Sequence, residues 1–447
     1  MNHFLRNEKK SEKNHYNTKL RARYTCAQTN DILQFSNGGS VTVTNVPNQG
    51  IGGLVVNGTN VTLQPGAASN LLTISGSAPS PAVFSITSGN TLTIGDGSNA
   101  FGIAFSGTAA NNVANINGTL TTTAFGSFNT TNSTTTISST GVVNNTGTFT
   151  ATTGTCTFGA GSNYFHKQNG GTMPLATYNA SSTITADTWG ASTTNPFASS
   201  NNIGNLVWNS SSQTGSINFA NNVTAITGSL TVTNTGSGAI TLASTSMTLP
   251  VSGNVAIDGG TLRTSASTVG IALNITGNLN VNSGTLDMGT AATNSPAYNV
   301  NVAGSFNLGS AGNIAKTGAA SSTQTIAFNG ASQQAVTFTA GGTVTNPISF
   351  SVNNGSNGIN LTGIMPINQS ATLTINNAPS FTGSTGNVSY NQTASTLVYS
   401  GTVAQTTTDL EWPTTNGPVS VTINNTTTTP NNKLTLNSSK KVNVSYT

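Results

Sequence analysis

Beyond position 30 the chain holds seven acids, Asp31, Asp96, Asp187, Asp258, Asp287, Asp409 and Glu411, and a single histidine, His166. General acid–base work and metal binding both need two or more such groups converging within a few ångströms. Asp409 and Glu411 stand two apart and on a strand would share a face. They are the one carboxylate pair visible in the sequence, and a polysaccharide-degrading β-helix enzyme would use such a pair. Solvated surface charge is the simpler reading of it. His166 stands beside Lys167 and near Tyr164, with no acid close by and no serine-nucleophile motif. No catalytic residue, cofactor site or metal site is assigned, and the chain reads as a non-enzyme.

Aromatic side chains that stack on sugar rings are the remaining chemistry. Trp208 alternates with Leu206 and reads as core, whereas Trp189 lies in a stretch without regular alternation and is the best candidate for an exposed aromatic. Together with Tyr164, His166 and Tyr178 it forms the set expected to contact glycans or solid surfaces.

Those residues must be positioned by strands. Gly, Ser, Thr and Asn supply 241 of the 447 residues and charged residues only 5%, against about a quarter in ordinary soluble domains. Low complexity of the disordered kind comes with high net charge and few β-branched residues. Here Val, Ile and Thr alternate in short period-2 runs broken by Asn-Gly, Gly-Ser and Ser-Gly, and no helical period appears.

Internal repeats choose among sandwich, barrel and solenoid. The segments GSLTV, GNVAI, GNLNV and GSFNL begin at Gly228, Gly253, Gly277 and Gly304, which are almost evenly spaced. Apolar residues recur two before each glycine (Ile226, Val251, Ile275, Val302) and two after it (Leu230, Val255, Leu279, Phe306). Since strand side chains alternate between faces, all eight point one way. A single unit cannot bury that face, but stacking like positions on the next unit makes a continuous core. The sequence therefore predicts a right-handed parallel β-helix with rungs of about 25 residues, with tandem β-sandwiches as the alternative. Residues 1–30 read as a polar, basic, disordered extension, 31–160 as a solenoid segment, 161–204 as an irregular junction or loop excursion, and 205–447 as a second solenoid segment with its clearest repeats at 222–314.

The formal charge of +4 is concentrated in residues 1–23, where seven bases face two acids, while the remaining chain carries six bases and seven acids. No basic face of the phosphate-binding kind is offered, so no specific nucleic-acid partner is expected. Cys26 and Cys156 lack metal-type spacing and read as free thiols several layers apart. The start has no apolar run of the about 7 to 15 residues found in signal peptides, and no segment approaches the about 20 apolar residues of a membrane span. The sequence ends at VNVSYT within a strand-like pattern, which suggests a fragment of a larger chain or an incorrectly called start. Thr-rich solenoids can bind ice if outward threonines recur at one rung position. In the clearest repeats the outward positions are Ser229, Asn254, Asn278 and Ser305, then Thr231, Ala256, Asn280 and Asn307. An ice-binding solenoid is accordingly the last of the alternatives. No acid recurs at rung spacing, so calcium-binding repeats are not indicated.

The segments NLVWNSSSQTGSINFANNVTAITGSLTV, GNLNVNSGTLDMG and TLVYSGTVAQTTTDLEWPTTNGPVSVTINN resemble the repetitive β-helical surface proteins of Bacteroidetes-type bacteria, over about residues 30–447. That resemblance implies cargo of type IX secretion at the cell surface or outside the cell. It also implies an adhesin-like or spacer role with glycans or surfaces as partners. The chain departs from the pattern in showing neither signal peptide nor sorting domain.

Overall fold

A computed structural model describes residues 31–446 apart from 67–68, 76–82, 153, 200, 267–269, 290–297, 319–323, 384, 427–433 and 443–444. The basic extension and Cys26 lie outside the described residues. The chain forms two compact units, Met1–Thr188 and Trp189–Thr447. Each is a β-solenoid, and every strand pairing within it among the described residues is parallel. Antiparallel sandwiches are thereby set aside.

In the first unit three strand ladders run side by side. One begins with Ile32–Phe35 and ends with Thr177–Tyr178, a second runs from Ser40–Val46 to Thr183–Ala186, and a third runs from Gln49–Ile51 to Thr148–Thr150. The second ladder stacks Val41, Val61, Leu92, Leu120, Val143, Tyr164 and Ile184 in register. Val61, Leu92, Leu120, Val143, Tyr164 and Ile184 are all buried. Successive rungs differ in length: the turn that carries Val41 onto Val61 is much shorter than the next, which carries Val61 onto Leu92. Through a core made mainly of Val, Ile and Leu, Phe84, Phe105, Phe128, Phe149, Phe158, Tyr164 and Tyr178 form an unbroken chain of ring contacts, 4.9–6.3 Å between centroids.

The stretch read as an irregular junction from 161 carries some stacked strands within it. Asn163–His166, Thr177–Tyr178 and Thr183–Ala186 are strands of the first unit's ladders, and the division between units falls after Thr188. Between these strands the backbone is irregular at 167–176 and again over 187–199.

In the second unit a rung has three short strands, as in Ile271–Ile275, Leu279–Val281 and Thr285–Asp287. The column Leu230, Val255, Leu279, Phe306 is in register and buried, as is Ile226, Val251, Ile275, Val302. The repeating glycine sits at the bend between the first two strands. Gly253 N–H donates to the Gly228 carbonyl at 2.8 Å, Gly277 to Gly253 at 3.1 Å and Gly304 to Gly277 at 3.0 Å. A Cβ on Gly277 would stand 2.5 Å from the Gly253 carbonyl oxygen, so close backbone approach, and not a left-handed φ, demands glycine there. No helix among the described residues is long and apolar enough to cross a membrane.

Candidate functional site: the outward faces of the stacked sheets

The aromatic set expected at the surface is inside. Tyr164, His166 and Trp189 have no exposed area and Tyr178 only 9%. Tyr178 stacks on Phe158 with its hydroxyl on the Pro174 carbonyl at 2.7 Å, and Trp189 packs on Trp208 with its indole N–H on the Ser192 carbonyl at 3.0 Å. None of the four is placed to touch a glycan. A buried Tyr, His or Trp needs a partner for its polar atom, and the solenoid interior supplies one each time. Trp208 is buried, as alternation indicates.

Around His166 the partners form a continuous line crossing three rungs. Gly147 N–H donates to Thr122 Oγ1, whose hydroxyl donates to Asn145 Oδ1 at 2.6 Å; Asn145 Nδ2 donates to Tyr164 Oη at 2.8 Å. His166 Nε2 lies 2.6 Å from the Gly170 carbonyl, which can only accept, so Nδ1 is left to accept the Tyr164 hydroxyl at 3.3 Å. The tautomer follows from this network. Burial pushes the imidazole down to about 4, the Gly170 bond partly opposing. Between that value and about 6.5 the unfolded chain binds a proton that the folded one excludes. Stability from this group is therefore full above about pH 6.5 and lost as pH falls toward 4, at a cost of about 3 kcal/mol. Hydrogen-exchange opening free energies of strand Asn163–His166, corrected for intrinsic exchange, are expected to fall by that order between pH 7 and 4. In His166→Gln the fall should be much smaller, and an equal one would assign it to another group.

The carboxylate pair also separates. Residues 409–411 form a turn instead of a strand, so alternation does not apply. The Asp409 side chain is 62% exposed and paired with Lys440 Nζ at 2.5 Å; Lys440, Ser438 and Asn437 hold its carboxyl low, at about 2. Glu411 is buried, accepting from the Tyr399 hydroxyl at 3.1 Å and from the backbone N–H and hydroxyl of Thr408. Desolvation pushes its carboxyl up against those donors. The two share no partner among the described residues. Asp287 is likewise interior, bound to Arg263 from the preceding rung at 2.9 Å. Among the described residues no three His, Cys, Asp or Glu side chains are grouped to hold a metal ion. Cys156 is a buried free thiol, raised well above the usual range by desolvation.

What remains for recognition is the polar outside. In the second unit the outward Asn and Ser bind the next rung: Asn205 Oδ1 accepts from Ser229 N–H at 2.8 Å, Ser229 Oγ from Asn254 N–H at 3.1 Å, Asn254 Oδ1 from Asn278 N–H at 2.8 Å and Asn278 Oδ1 from Ser305 N–H at 2.7 Å. Order without charge is thus built into that face. In the first unit the second ladder carries Ser40, Asn60, Thr91 and Thr119 in one outward column and Thr42, Thr62, Thr93 and Thr121 in the next. These threonines lie outside the evenly spaced repeats of 228–308. The visible signal was Thr-x-Thr at 91, 119 and 183. Comparison with family models, with curated proteins and with solved structures finds no match to this chain.

Proposed function

We propose that the chain is a non-catalytic, adhesin-like structural protein displayed outside the cell, attaching through its uncharged outward faces and serving as a stiff spacer. The observation that supports this reading is the ordered Asn, Ser and Thr columns of each unit, which offer donors and acceptors in register. Their sequence phrasing also resembles the β-helical surface proteins of Bacteroidetes-type bacteria. Backbone hydrogen bonds run from rung to rung, so each unit resists extension along its stack. Single contacts on such faces are weak, and useful strength comes from many copies on one cell. Displaying the full chain on an inert cell should raise attachment to at least one of glycan-coated, mineral or plastic surfaces above that of a solenoid of unrelated surface. Equal attachment on all of them leaves the spacer role alone.

A further inference from the structure

The threonine face of the first unit differs from every other polar column described above in what its side chains do. Over four consecutive rungs the outward residues are Ser40 and Thr42, Asn60 and Thr62, Thr91 and Thr93, Thr119 and Thr121, paired without a register shift at these positions. The residues between them, Val61, Leu92 and Leu120, are buried, which holds the outward pairs on one side of a packed sheet. Among the described residues none of the six threonine hydroxyls donates to or accepts from a protein group, whereas the Asn and Ser of the second unit are occupied by rung-to-rung bonds. Asn60 is the exception within the face, its Oδ1 taking the Thr91 N–H at 2.9 Å. Threonine is β-branched and stiff at χ1, so each hydroxyl and methyl is fixed relative to the backbone. None of the eight residues is charged.

The result is a two-dimensional grid of hydroxyls and methyls. Its repeats are about 4.8 Å from rung to rung and about 6.6 Å between alternate residues of a strand. A protein ligand or a single sugar chain has no reason to match both repeats over four rungs, but a crystal of water does, since oxygen repeats of this order lie on faces of hexagonal ice. We propose that this face binds ice, the methyls seating in the lattice and the hydroxyls joining its hydrogen bonds. The inference is independent of adhesion: it needs only the first unit's second ladder.

The test uses the full chain. In slowly grown ice it should be incorporated well above an inert protein of similar size, and it should hold ice crystals against growth within a measurable freezing hysteresis. Thr93→Tyr with Thr121→Tyr should reduce both readouts by about tenfold or more, because bulk at the centre forbids simultaneous engagement of the remaining positions. Tyr is well accepted on strands, and unchanged far-UV circular dichroism will show that the variant is folded. Asn280→Tyr with Thr337→Tyr, on an outward column of the second unit, should leave both unchanged. Exclusion of the unaltered chain from ice to the same extent as the inert protein overturns the proposal. So does equal loss in the two double variants, and so does adsorption to crystalline polysaccharide without enrichment in ice.

Discussion

Leu279→Asp is expected to unfold the second unit around its rung. Leu279 has no exposed area and stands in the middle of the column Leu230, Val255, Leu279, Phe306, Val336, Leu361. The side chains above and below it are hydrocarbon, so a carboxylate there finds neither a donor nor a cation. Several kcal/mol of uncompensated desolvation is a large part of the about 5–15 kcal/mol that stabilises a typical domain. Because each rung touches only its neighbours, damage to one removes the template for both. Leu279→Ala should cost about 2–5 kcal/mol and Leu279→Met less than about 1.5 kcal/mol. Urea titrations followed by fluorescence of the second unit's tryptophans would rank the three. An Asp variant within about 1 kcal/mol of the unaltered protein would mean that the column is hydrated, against the packing described.

This column was legible because its rungs are nearly equal in length. The even recurrence of Gly228, Gly253, Gly277 and Gly304 brings glycine and flanking apolar residues into phase by inspection. In the first unit the same arrangement is built from rungs of unequal length, as the partners Val41, Val61 and Leu92 show. Loops of different length leave the stacked strands undisturbed, and no fixed period survives in the sequence. The Thr-x-Thr face was hidden for that reason. Tyr164, His166 and Trp189 misled for another. A polar tip favours the surface only where the interior offers it no partner, and strand alternation does not encode whether Asn145 on the neighbouring rung, or Gly170 and Ser192 a few residues further along the chain, will be in reach. Glu411 and Asp287 are interior on the same grounds, held by donors from Thr408 and Tyr399 and from Arg263 and Thr317.

The Arg263 and Asp287 pair carries the second large effect. Asp287 is buried, with 1% of its side chain exposed against 19% for Arg263. It accepts from Arg263 Nε at 2.9 Å, from the Thr317 hydroxyl at 2.7 Å and from the backbone N–H groups of Gly289 at 3.1 Å and Thr317 at 3.3 Å. Those partners come from three successive rungs, because Arg263 and Ala315 flank Asp287 in register. Asp287→Ala removes every acceptor at once and leaves a mostly buried guanidinium without its counter-ion, so about 3–5 kcal/mol of stability should be lost. Arg263→Met leaves the carboxylate with its three neutral donors and should cost less, since hydrogen bonds to a charged group contribute about 1.5–3 kcal/mol each. Combining Arg263→Met with Asp287→Ala removes both charges. That double variant should be more stable than the sum of its single changes requires, by about 1–3 kcal/mol. Urea midpoints of the four proteins close the cycle. Strict additivity would mean that the two side chains do not act on one another, and that Asp287 is held by Thr317 and Gly289 alone.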